Sequence, residues 1–121
     1  DLAKPGGIVS LVAKNKDNLA VRPALEGKWA DALASFDAER QTNGLDVDTR
    51  ADSVEDITAL MAENGVERTA WYGVRLFTDG WTPERATDDP EEVVFAVELE
   101  ASRRNPYRLM SRLFHFVGVH R

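Results

Sequence analysis

"PGGIVSLVAKN", residues 5–15, decides how the fold is read. Pro5-Gly6-Gly7 is a turn signal. Ile8 to Ala13 is β-branched and nearly all apolar, which is how a strand buried on both faces of a parallel sheet reads. The run stops at Lys14 and Asn15. A strand of this kind wants a neighbour in a sheet.

The segments that follow alternate accordingly. Arg22-Pro23 marks a bend or a helix start. Trp29, Ala32, Leu33 and Phe36 recur at helical spacing and predict a helix from about 26 to 40. "QTNG" (41–44) reads as a loop. Ser53 with Asp56 three residues later comes close to a capping box. Val54, Ile57, Leu60 and Met61 give the next helix its apolar face, and Gly65 is a natural stop. A strand is expected from about 68 to 77, within "YGVRLFTDGW" (72–81). In "TDDPEE", Asp89 is the expected cap, Pro90 the first helical residue, and Glu91 and Glu92 the complement to the helix dipole. Val93, Val94, Val97 and Ala101 form a stripe, with Arg103 and Arg104 in the last turn. Asn105-Pro106 breaks that helix and starts a short turn through Ser111. "LFHFVGV" (113–119) is the last strand, placed to return antiparallel beside an earlier one. The order is strand, helices, strand, helical insertion over about 80–111, strand, which predicts an α/β sheet.

Composition sets limits. The 121 residues make at most one domain, with 43% hydrophobic and 30% charged residues. There is no cysteine, so disulfides and thiolate metal sites are excluded, and two histidines alone make no convincing metal site. No apolar run approaches the roughly 18 residues of a membrane span, and a cytoplasmic location is expected. The net charge of −6 argues mildly against a general nucleic-acid binder. The charge is uneven, because residues 101–121 hold no acid but carry Arg103, Arg104, Arg108, Arg112 and Arg121. These arginines either form a local basic patch or pair with acids elsewhere on the fold. The chain opens at Asp1 with a strand close behind, so it is expected to be a fragment of a larger domain.

The stretch "KPGGIVSLVAKN" resembles the fifth strand of class I S-adenosylmethionine-dependent methyltransferases. "GVRLFTD" (73–79) and "VELEASRRNPYRLMSRLFHFVGV" (97–119) resemble one subfamily, which includes the tRNA carboxymethoxyuridine carboxyl methyltransferase. Gly73, Val74, Arg75, Phe77 and Asp79 carry the first part of the pattern. Glu98, Leu99 and Glu100, then Pro106 and Tyr107, then Arg112 and His115 carry the rest. The match runs in order along essentially the whole chain. The segment 18–52 departs from it, with more acids and a longer helical region. The resemblance implies the C-terminal half of a Rossmann-like sheet: the last three strands, with a helical insertion before the final antiparallel strand. The Gly-rich cofactor motif is absent. The S-adenosylmethionine contacts are therefore expected in an N-terminal half missing from this chain; that half, or a second chain, is expected to cover the open edge of the first strand. The 121 residues alone are expected to be inactive.

Methyl transfer from a sulfonium is an in-line displacement and depends chiefly on alignment. A carboxylate acceptor is already ionised and needs only a cation to position it, for which arginine's planar fork is suited. A hydroxyl acceptor gains from a base such as histidine. Ligands of open α/β sheets sit beyond the carboxyl ends of the parallel strands. On these grounds the substrate-binding candidates are Arg75, Tyr107, Arg112, Asn15 and His115. Each has a structural alternative. Asn15 can form a turn, and Tyr107 can simply pack. Arg75 can bridge to Asp79, Glu98 or Glu100, Arg112 can pair with Glu98, and His115 can be a hydrogen-bonded core residue. Glu98 is expected to pair with an arginine. Arg103, Arg104 and Arg108 are phosphate-contact candidates if the substrate is tRNA; otherwise they are helix-end charges. A small molecule and a tRNA both remain open as substrate. The rival class is a non-enzymatic α/β module that binds a partner through its sheet edge or basic face.

Overall fold

A computed structural model describes residues 4–38, 40–42, 48–79 and 88–121. Three strands form the main sheet: β1 (Ile8–Lys14), β4 (Val66–Val74) and β5 (Leu113–His120). Their order is β1-β5-β4, and β5 is antiparallel to both neighbours. β1 and β4 therefore run parallel to each other without touching. The α/β expectation holds, with an antiparallel sheet of three strands. Two short strands, β2 (Arg40–Thr42) and β3 (Asp48–Arg50), pair antiparallel beside it.

Helix α3 (Val54–Glu63) packs on one face of the sheet. Ser53 caps it as expected, its hydroxyl accepting from the Asp56 amide at 3.0 Å. Val54 and Ile57 of the helix meet Val66, Trp71, Phe114 and Phe116 of the strands, with Val9, Leu11, Ala13 and Met61 against them. The two phenylalanines are fully buried, each worth about 1.5–3 kcal/mol of burial. Gly65 follows the helix at φ +79°, a conformation that costs glycine nothing.

The sheet's other face has no such cover among the described residues. Alternation along β1 puts Val9, Leu11 and Ala13 toward the core, while Ile8 and Val12 are 75% and 58% exposed. The apolar run is thus half-covered here, not buried on both faces. Among the described residues, the outer edge of β1 is met only at its end, where Asn15 bridges to Asp52.

Other boundaries shift for local reasons. The helix expected over 26–40 is shorter, α2 (Trp29–Ser35); a separate short helix, α1 (Val21–Leu25), precedes it at the Arg22-Pro23 start and is divided from it at Gly27, whose φ is +78°. Only Ala32 of the expected stripe is buried; Trp29, Leu33 and Phe36 face outward. Gln41 and Thr42 belong to β2 instead of a loop, and residues 43–44 of that reading lie outside the described ones. β4 ends at Val74, three residues short of the expected 77, because Arg75 turns to φ +63°. Helix α4 (Glu91–Ser102) starts one residue later than expected, with Pro90 in the cap position that Asp89 was given. Arg103 is its C-cap, so Arg103 and Arg104 follow the last turn instead of forming it. Of the expected insertion, residues 80–87 lie outside the described ones. A 3-10 turn, Tyr107–Met110, leads into β5 as expected.

Candidate functional site

The sheet topology gathers three of the sequence candidates at one end. Lys14, Leu113 and Val74 are the last register partners across β1, β5 and β4. One residue further, the Asn15 amide donates to the Arg112 carbonyl at 3.1 Å, and the Arg112 amide donates to the Arg75 carbonyl at 3.1 Å. Asn15, Arg112 and Arg75 therefore stand side by side, at the carboxyl ends of the two mutually parallel strands.

Their side chains differ in role. Asn15 is buried, and its amide nitrogen donates to the carbonyls of Leu109 and Ser111 at 2.9 and 2.8 Å. Its oxygen accepts from the Asp17 amide at 3.0 Å. Asn15 thus fastens the strand end to the turn before β5, as does Asn18, which donates to the Met110 carbonyl at 2.5 Å. Arg75 is mainly exposed and lies 3.4 Å from the nearly buried Asp79 carboxylate. That distance makes an ion pair, and among the described residues Asp79 Oδ1 accepts no hydrogen bond. Most of the Arg75 fork is left toward solvent. Arg112 is half-buried, and burial pushes its pKa down. Asp79 raises it again, Arg22 and Arg75 lower it, and Glu26 raises it. An arginine stays charged under these influences. The strand ends therefore hold the cations Arg75, Arg112 and Arg22 around Asp79 and Glu26, a local excess of positive charge.

His115 belongs to another group. It lies on the uncovered sheet face, opposite Phe114 and Phe116. Its Nε2 meets Ser10 Oγ at 2.5 Å, and its ring stands 6.2 Å from that of Tyr72. It is hydrogen-bonded, but outside the core.

Tyr107 faces Phe77 beside α4, the ring centroids 6.2 Å apart. Arg108 is an internal fastener: its guanidinium lies 4.0 Å over the Trp71 ring, donates to the Trp71 carbonyl at 3.0 Å and to Asn105 Oδ1 at 2.6 Å. The turn carrying it passes so close to β4 that a Cβ on Gly73 would lie 2.2 Å from Ser111 Oγ. Arg103 and Arg104 both bind the exposed Glu100 carboxylate, Arg104 Nε at 2.8 Å. The Arg103 hydrogen bond is the largest influence holding Glu100 below its ordinary pKa, and the same bond raises Arg103.

Sequence reasoning missed the role of Glu98. It pairs with no arginine in the described contacts. Its carboxylate accepts from the successive amides of Leu76, Phe77 and Thr78, at 3.1 Å from Leu76 and 2.7 Å from Thr78. The left-handed turn at Arg75 is followed by these converging amides, an arrangement that attracts an anion. The sequence reading runs the strand through Arg75 to 77, and the donor set of the turn belongs to the backbone and has no side-chain signature.

Among the described residues there is no cluster of metal-ligating side chains, and no helix is long and apolar enough to cross a membrane. No family model and no curated protein matches this sequence.

Proposed function

We propose that this chain is the substrate-side part of a class I S-adenosylmethionine-dependent methyltransferase, acting on an oxygen. The observation that carries the reading is the placement of Asn15, Arg112 and Arg75 at the carboxyl ends of two parallel strands that flank a final antiparallel one. The motif resemblance implies Arg75 near the substrate, and open α/β sheets bind their ligands at the strand end that Asn15 and Arg112 share with it. The uncovered sheet face and the open edge of β1 fit a chain that completes its sheet with a further half.

In this reading Arg75 holds an acceptor carboxylate with the part of its fork that Asp79 leaves toward solvent. Arg112, drawn in by burial, adds positive charge behind it. Bound S-adenosylmethionine would supply the methyl group to the carboxylate that Arg75 holds in line with it, and the products would be a methyl ester and a neutral thioether. No base is needed, which suits a site whose histidine stands elsewhere on the sheet. S-adenosylmethionine would be held by the half outside this chain. The carboxylate belongs to a small molecule or to a modified tRNA uridine.

The exposed Leu25, Trp29, Leu33 and Phe36 favour the second reading, a non-enzymatic partner-binding module. One experiment separates the two. The protein isolated from its native source is weighed intact and titrated calorimetrically with S-adenosylmethionine. A mass of roughly twice this chain's, with saturable binding, supports the methyltransferase. A mass near 13.5 kDa with no binding rejects it.

A further inference from the structure

We propose that the open edge of β1 pairs antiparallel with the same edge of a second copy of this chain, about a two-fold axis at Ser10. The inference does not rest on the methyl-transfer reading. It concerns the backbone of one strand, whose donors and acceptors fix the occupant.

The first observation is which groups face outward. In an antiparallel pair, alternate residues point their N–H and C=O groups at the neighbouring strand. The Gly7 carbonyl accepts from the His120 amide at 2.9 Å, and the Asn15 amide donates to the Arg112 carbonyl at 3.1 Å, so the odd-numbered residues of β1 bond to β5. The even-numbered ones turn the other way. Lys14 shows it, its carbonyl accepting from the Asp52 amide at 3.0 Å. Among the described residues, the N–H and C=O groups of Ile8, Ser10 and Val12 meet no partner. Such an edge is a template for a further strand.

The second observation is symmetry. Ile8 and Val12 stand equally far from Ser10 along the strand. A copy centred on Ser10 sets Ser10 against Ser10 and Ile8 against Val12, and every outward donor finds an outward acceptor. Other registers fail at one end. Centred on Leu11, the pairing needs the Lys14 carbonyl, which the Asp52 amide already occupies. Centred on Val9, it needs the Gly6 amide, which donates to the His120 carbonyl at 2.7 Å.

The third observation is fit at the ends. In the Ser10 register, residue 5 of one copy comes level with Asn15 of the other, where Asp52 stands. The chain leaves the strand line there, because Gly6 turns to φ +83° and the Gly7 amide closes the turn onto the Lys4 carbonyl at 2.7 Å. The fourth is the side chains. Ile8 and Val12, 75% and 58% exposed, become cross-strand neighbours on the open face, while Val9 and Leu11 meet their counterparts on the core side. The contact is isologous, so it closes at two copies.

The chain has no cysteine, so single cysteines report the register. Ser10→Cys sets two thiols across the axis at a Cα separation of roughly 5.5 Å, which a disulfide spans, and should couple under mild oxidation. Val12→Cys alone should stay uncoupled, but should couple when mixed with Ile8→Cys. The unmodified chain should sediment at twice 13.5 kDa while its denatured mass stays at 13.5 kDa, which separates a dimer from a longer chain. Ile8→Lys with Val12→Lys opposes like charges and should give a monomer, whereas Ile8→Lys with Val12→Asp should keep the dimer. Both positions are exposed, so circular dichroism should not change. The proposal is overturned if the chain sediments as a monomer at every concentration, or if Ser10→Cys and Val12→Cys couple equally. A dimer dissolved by Leu33→Asp but not by the lysine pair would place the contact on α2 and overturn it. So would a longer chain whose own strand fills the edge and leaves Ser10→Cys uncoupled.

Discussion

The Glu98 carboxylate accepts the Thr78 amide at 2.7 Å, and this contact joins helix α4 to the turn beyond β4. The same carboxylate takes the two preceding amides. Charge-assisted hydrogen bonds of this kind contribute about 1.5–3 kcal/mol each at most, and less where water can replace the acceptor. Glu98→Ala is expected to cost about 2–3 kcal/mol in urea unfolding and to raise hydrogen exchange selectively at residues 76–78. Exchange that is unchanged there would show that water serves the turn equally well.

Gly73 tests the packing of the Arg108 turn against β4. An added methyl would meet Ser111 Oγ at 2.2 Å and the Arg108 Cα at 2.9 Å. The hydroxyl can rotate away but the backbone atom cannot. Gly73→Ala is expected to destabilise by about 1–3 kcal/mol, and adding Ser111→Gly should recover only part of the loss. Thermal melts of the single and double variants measure it.

Phe116 sits at the centre of the core between α3 and the sheet. Phe116→Ala is expected to cost about 3–5 kcal/mol, a large fraction of the stability of a domain this size. Tyr72→Ala, on the uncovered face, should cost far less. Comparable losses from both would mean that the open face is covered in solution.

Arg75 carries the functional reading. Its ion pair with Asp79 is partly exposed, so Arg75→Ala should change stability by less than about 1 kcal/mol. It should weaken acceptor binding while leaving S-adenosylmethionine affinity nearly intact in the whole enzyme. Equal loss of both affinities would count against an acceptor role.

The Glu100 cluster predicts a pH response. Its carboxyl is held below the ordinary 4.5, first by the Arg103 hydrogen bond. A group whose folded pKa is depressed adds stability above its unfolded pKa and loses it as pH falls through the folded value. The end of α4 should therefore loosen only on acidification below the ordinary carboxylate range. An NMR titration of the Glu100 carboxyl should give a midpoint under 4.5, and Arg103→Gln should raise it more than Arg104→Gln does.

The legible part of the fold was local. Ser53 with Asp56, Gly65, and the run LFHFVGV (113–119) each mark an element locally. Gly27 sat in view inside the segment 26–40, but the apolar spacing of Trp29, Leu33 and Phe36 outweighed it. The run from Ile8 to Ala13 looked buried on both faces because composition records apolarity, not what lies above each face. For the site, the sequence shows the residue types Asn15, Arg75 and Arg112, and the register sets them side by side. The tasks of Asn15, Arg108 and Glu98 were hidden because each is bonded to main-chain atoms far along the chain.

The position of β5 has a consequence for how the chain is made. β1 and β4 share no edge, and every hydrogen bond of the main sheet passes through the strand between them. Ile8 must wait for Val119, and Val66 for His120. On the ribosome, β1 and α3 emerge long before the strand that unites them. The apolar strands of the nascent domain therefore stay unpaired until residue 120 clears the exit tunnel.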